Sequence, residues 1–345
     1  MDALGPPLPS GGMAGRPMSH LSVCRILQFP KCETVRKEAD MAKLSDILEH
    51  FPFDPGKKKP MLIRWQDYST ALYPPNDAST SDNTFTIVST DTFMLGIYEL
   101  APGSFFMPLD IHPGDESYYI LDGPVVQRSG NGQFVWLDTG DGLCMPEGAW
   151  HSGHNFTDHK TRILYFIAPK AWSEDIPPKV IPSDEETKFY KGPNNDRLPD
   201  MRDAMKALGG RPACTDDLGH FPAEGDELRA AGAIVGVHNY EKLNTIHGTH
   251  HPMLMRFITS NDFGNFGEMI LPAGGYGPRC SDPDKHGGDG CLYCVNGPIT
   301  VNLNELEESY VLQEGDSFFL PAGTSYQLVN FEAGPIKAVF GITEL

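Results

Sequence analysis

From Thr34 to Phe51 the apolar residues Val35, Ala39, Ala42, Leu44, Ile47 and Leu48 fall roughly on one stripe, which predicts an amphipathic helix. Pro52 and Pro55 close it, and Lys57-Lys58-Lys59 then reads as a solvated turn. From Met61 to Trp172 the rhythm shortens. Apolar runs of strand length alternate with turns rich in Gly, Pro, Asn and Asp. Between Trp172 and Ala230 the strand signal lapses, and Pro177, Pro178, Pro182, Pro193 and Pro199 stand among charged residues. That stretch reads as an ordered connector, with one short helix over Asp200–Leu208 closed by Gly209-Gly210. Strand-like text resumes near Ala233 and continues to Leu345. The division expected is a tail and helix over 1–60, a β domain over 61–172, a linker over 173–231 and a second β domain over 232–345.

The two β regions repeat one another. Asp110-Ile-His112-Pro-Gly114-Asp115-Glu116, leading to Gly123-Pro124-Val125, corresponds to Asp284-Lys-His286-Gly-Gly288-Asp289-Gly290, leading to Gly297-Pro298-Ile299. Further on, Gly140-Asp141, Pro146-Glu-Gly148 and Asn155 correspond to Gly315-Asp316, Pro321-Ala-Gly323 and Asn330. The offset is 174 residues for the first block and 175 for the second, so two blocks recur in one order at nearly one spacing. Duplication of one β unit is the reading.

Composition supports an all-β body. The 36 glycines and 30 prolines supply the turns that short strands need. A net charge of −19 excludes a general nucleic-acid binder, since polyanions are held by basic surfaces. No apolar run approaches the ~20 residues that span a bilayer, so no membrane partner is expected. Met1 to His20 is rich in Gly and Pro, lacks the apolar stretch of a signal peptide and reads as a disordered tail. Seven cysteines in no framework suit a reducing compartment, and a cytoplasmic protein is expected. Cys291-Leu-Tyr-Cys294 is a lone CxxC without a second pair, and reads as two strand cysteines.

These motifs resemble those of the cupin family. Gly140, Pro146, Gly148, His151 and Asn155 fit its second motif without a gap, and His112, Glu116 and Gly123 fit the later part of the first. Gly103 lies one residue further out than the family pattern, and Asp110 stands where the family has its first histidine. The resemblance implies an all-β chain of two tandem cupin barrels, jelly-roll double-stranded β-helices, with an N-terminal helical extension and an inter-domain linker. The first barrel then carries the site. In the second, Gly290 replaces the glutamate and Tyr326 the motif histidine, so that site is erased.

Residues two apart on a strand share a face, so Asp110 and His112 can point into one barrel, with Glu116 and Tyr118 in the same parity. His151 arrives from a distant strand after the Pro-Glu-Gly turn. His112, Glu116 and His151 form a two-histidine, one-carboxylate set suited to one divalent metal, Fe(II) first, with Mn, Ni or Zn as alternatives. Asp110 and Tyr118 are the candidate catalytic residues. Asp110 can be a fourth ligand, an acceptor for His112 or a turn residue. His154 has the opposite parity to His151 and should face away from the cavity, and His247 to His251 reads as a polar loop. Three functions follow: an iron oxygenase acting on a small organic substrate, a redox-neutral isomerase, lyase or decarboxylase, and a non-catalytic binding or storage protein. A homodimer or higher homo-oligomer is expected.

Overall fold

The structure, a computed structural model, describes residues 51–54, 56–72, 83–105, 112–129, 133–149, 151–169, 215–248, 252–277 and 284–345. The N-terminal tail, the helix over Thr34–Phe51 apart from its last residue, the helix over Asp200–Leu208 and Asp110 all lie outside those residues.

The first half contributes β1 (Met61–Ile63), β2 (Ser69–Leu72), β3 (Asn83–Ser89), β4 (Met94–Leu100) and β5 (Asp115–Asp122). It continues with β6 (Val125–Ser129), β7 (Phe134–Leu137), β8 (Gly142–Met145), β9 (His151–His154) and β10 (Thr161–Ala168). A helix, α1 (Gly225–Ala231), falls in the connector and ends at Gly232, whose left-handed backbone turns its N–H back onto the Leu228 and Arg229 carbonyls. The second half supplies β11 (Val235–Val237), β12 (Leu243–His247), β13 (Met253–Ser260), β14 (Asn265–Leu271), β15 (Tyr276–Gly277) and β16 (Gly290–Asn296). It ends with β17 (Ile299–Leu303), β18 (Glu308–Leu312), β19 (Ser317–Leu320), β20 (Gln327–Val329) and β21 (Ile336–Ile342). The all-β reading holds.

Each half folds as a large sheet facing a small one. In the first, β11-β8-β5-β10-β4-β3-β2 faces β7-β6-β9; in the second, β1-β19-β16-β21-β14-β13-β12 faces β15-β20-β17-β18. The outer strands are exchanged. β1 precedes the first barrel in sequence but pairs with β19 of the second, and β11 pairs antiparallel with β8 of the first. Sheet membership therefore crosses the expected boundaries at 61 and 232. The exchange covers edges that would otherwise expose unpaired backbone groups.

Strand parity explains the burial. Met94, Tyr98, Leu100, Tyr118, Ile120, Leu143, Met145, Ile163, Tyr165 and Ile167 form one cluster inside the first barrel. The alternate residues Leu95, Ile97, Tyr119, Cys144, Leu164 and Phe166 belong to a second cluster shared with the other half. β4 is consequently buried along its whole length, apolar on both faces rather than on one. At the seam Phe166 stacks on Phe266 with ring centroids 5.6 Å apart, and a β-carbon at Gly264 or Gly341 would run into the Phe166 ring. Ser117 donates to Thr259 at 2.8 Å, and the Tyr119 hydroxyl to Glu268 at 3.0 Å.

The repeated acidic residues hold the halves together in matching ways. Asp115 accepts the Glu147 N–H at 2.8 Å and the Arg229 guanidinium at 3.0 Å. Asp289 accepts the Ala322 N–H at 2.9 Å and the Lys58 ammonium at 2.6 Å. Lys58 also meets Asp91, so the solvated-turn reading of the lysine run is corrected at that residue: it reaches a buried carboxylate of the second barrel. No described helix is long and apolar enough to cross a membrane.

Candidate metal centre

Glu116 sits on β5 between Ile167 of β10 and Met145 of β8, and its side chain shares the inward face with Tyr118. His112 precedes β5. Its carbonyl accepts the Gly148 N–H at 3.2 Å, so the turn before His151 is tied directly to the segment carrying His112. Gly148 occupies a left-handed position, φ +73°, which a side chain would strain. His151 opens β9, paired with Ser129 of β6. Two loops and two sheets thus deliver three side chains to one point.

All three are buried, and their ligating atoms lie within 4.8 Å of one another. Glu116 Oε2 is 3.3 Å from His112 Nε2 and 2.8 Å from His151 Nε2. Despite these distances the oxygen receives no directed hydrogen bond. His151 Nδ1 lies 3.0 Å from the Ala149 carbonyl, which can only accept, so the ring proton belongs on Nδ1. Nε2 then turns a bare lone pair toward a carboxylate. Two electron-rich atoms facing each other in a buried site call for a cation between them, and the donor set fits a divalent ion. Burial alone would raise the Glu116 carboxyl; where the two imidazoles are protonated instead, their charge outweighs that burial and brings the group to about 2.

The surroundings are largely apolar. Met94, Met145, Ile167 and Tyr98 belong to the same buried cluster as Tyr118. Tyr118 presents its ring edge-on to His151 at a centroid distance of 6.3 Å. Sequence inspection singled out only Tyr118 among these, although parity with Glu116 across neighbouring strands carries the signal for the others. Asp110 lies outside the described residues. His154 faces the other way, stacked between Phe105 and Phe156 at 5.7 and 5.8 Å, and burial with nearby Arg128 lowers its pKa.

The corresponding place in the second barrel is filled by protein. Tyr326 is buried, and its hydroxyl lies 2.6 Å from His286 Nε2. His247 ends β12 and pairs with Asp284 at 2.6 Å, so that residue belongs to a strand and an ion pair, not to the polar loop expected. His250 and His251 lie outside the described residues. Cys291 and Cys294 are buried on β16, and burial pushes both thiols up, which leaves them inert.

Residues 96–167, which include β5, β9 and all three candidate ligands, match the cupin domain family. The first half of the chain therefore carries a cupin domain. The oxalate decarboxylase of Lactobacillus farciminis, in complex with formate, is 14% identical with a TM-score of 0.54, over 84% of this chain and 88% of that one. A variant of the Bacillus subtilis oxalate decarboxylase is 13% identical with a TM-score of 0.52, over 84% and 78% of the two chains. Hazelnut (Corylus avellana) vicilin is 12% identical with a TM-score of 0.51, over 82% and 84%. At these identities the likeness is one of fold. No curated protein matches this chain in sequence.

Proposed function

We propose that this chain is a bicupin and a metal-dependent enzyme, specifically a non-haem Fe(II) oxygenase acting on a small organic substrate in its first barrel. One observation carries the reading: two imidazole nitrogens and one carboxylate oxygen, all buried, converge within 4.8 Å beside an apolar cluster. Three protein ligands leave coordination positions for a substrate and dioxygen. Iron held there would supply Lewis acidity and one-electron exchange with dioxygen. The protein's own part is positional. Ala149 fixes the His151 tautomer, Tyr118 braces that ring, and Met94, Met145 and Ile167 keep water away from the ligands. Asp110 and Tyr118 are the groups proposed to move protons, Asp110 as a base and Tyr118 through its hydroxyl.

A second reading is redox-neutral chemistry on a carboxylate substrate with Mn(II). It is favoured by the fold shared with two oxalate decarboxylases. Oxygen uptake separates the two. Protein purified anaerobically and loaded with Fe(II) should bind about one equivalent per chain and consume dioxygen with substrate. His112→Ala, Glu116→Gln and His151→Ala should each lose most of the metal and at least 100-fold in turnover. Turnover that proceeds equally without dioxygen supports the second reading instead.

A further inference from the structure

A cavity lies in the cleft between the two large sheets, and nothing in the proposed metal chemistry uses it. Its volume is about 600 Å³, within the range of small-molecule sites, and such sites favour domain junctions. Phe85, Glu99, Lys160 and Arg162 form one wall, from β3, β4 and the neighbourhood of β10. Tyr293 of β16 forms the other, and Trp65, between β1 and β2, stands at the mouth. The Trp65 N–H donates to Asp316 at 3.2 Å, so the backbone is pinned while the ring stays 57% exposed. Large aromatic rings fixed in a half-open position are stacking surfaces for a flat ligand.

The polar groups add a charge preference. Glu99 is buried and meets Lys160 at 2.9 Å and Arg162 at 3.1 Å. It lies behind them, 7% exposed, whereas the lysine and arginine side chains remain 52% and 39% exposed. One buried carboxylate thus meets two cations, and the cations are the groups more exposed at the cleft. Arg162 also hydrogen-bonds Tyr293 and so is held from the opposite wall. Glu314 also lines the cleft and acts on the same Tyr293, so an anion is received at Lys160, the more exposed of the two cations.

We propose that the inter-barrel cleft binds a small aromatic carboxylate, its ring against Trp65 and its anionic group at Lys160 and Arg162. The probe is 2-naphthoate against neutral 2-naphthamide, followed by tryptophan fluorescence and calorimetry on the full chain. One 2-naphthoate per chain should bind, at least tenfold tighter than the amide. Trp65→Ala and Lys160→Gln should each weaken binding about tenfold while metal content stays unchanged. His112→Ala, which empties the barrel site, should leave naphthoate binding intact. Absence of saturable binding at millimolar concentration, or equal affinity for acid and amide, overturns the proposal. So does binding lost in His112→Ala and retained in Trp65→Ala, which would place the ligand in the barrel.

Discussion

At positions 116 and 290 the two copies differ by a carboxylate, and at 151 and 326 by an imidazole. The other repeated residues survive in both, and their contacts say why. Asp115 and Asp289 each hold a backbone N–H and a cation, and Gly148 and Gly323 each bend a turn through a left-handed position. These residues maintain the barrel, whereas Glu116 and His151 belong to the candidate metal set that the second barrel does not repeat. Asp284, in the copy without the ligand set, lies 2.6 Å from His247 Nε2. Asp110 lies outside the described residues, and its proposed part as a base rather than a ligand is open to test by substitution. Asp110→Asn keeps the shape and removes the charge. Metal content measured by elemental analysis should stay near that of the parent while turnover falls about tenfold or more. A variant that purifies metal-free under loading conditions would make Asp110 a ligand and leave the open coordination of an oxygenase without support.

At the scale of elements, the loop after each motif histidine position is closed by one asparagine. The Asn155 amide donates to the carbonyls of Leu100, Ala101 and His159 at 3.1, 3.0 and 2.7 Å. Asn330 does the same to Leu271, Pro272 and Gly334 at 3.3, 2.9 and 2.9 Å. Both are buried, so removing either amide leaves several carbonyls without a donor. Asn330→Ala should cost about 2–3 kcal/mol of stability by denaturant titration. Because the second barrel holds no ligand set, the metal site should remain loaded. Loss of metal in that variant would show that the second barrel supports the first site directly.

For the molecule as a whole, the seam between barrels carries a buried charge cluster. Glu268 meets Lys242 at 3.2 Å, Arg256 at 2.5 Å and Lys337 at 2.9 Å, while Tyr119 of the first barrel donates to it. Burial raises the Glu268 carboxyl, but the three cations more than offset that and hold it below its usual value. Burial lowers the Lys242 ammonium to about 8 against the pull of Glu268. A lysine with a folded pKa of about 8 and an unfolded value of 10.5 binds fewer protons folded than unfolded in that window. Its contribution to stability therefore rises with pH between about 8 and 10.5, by at most about 3 kcal/mol. Comparison of Tm against pH for the parent and Lys242→Met isolates this group. The parent should gain relative to the variant across the window, and parallel curves would place the lysine's pKa at its ordinary value.

The sequence by itself determined the fold class and which three residues converge. Period-two patterning, turn residues and a duplicated motif are local properties, so the all-β barrels and the convergence of His112, Glu116 and His151 were legible without coordinates. The lost second site was legible too, because Gly290 and Tyr326 cannot ligate as the residues they replace do. Tertiary structure decided what depends on contacts between distant segments. The exchange of β1 and β11 could not be read, since an edge strand carries no mark of which sheet it completes. Lys58 looked like one of three solvated lysines until Asp289, 231 residues away, supplied its partner. The cleft between the barrels was invisible for the same reason: its walls belong to separate copies of the repeat, and only their packing brings an aromatic ring and two cations to one place.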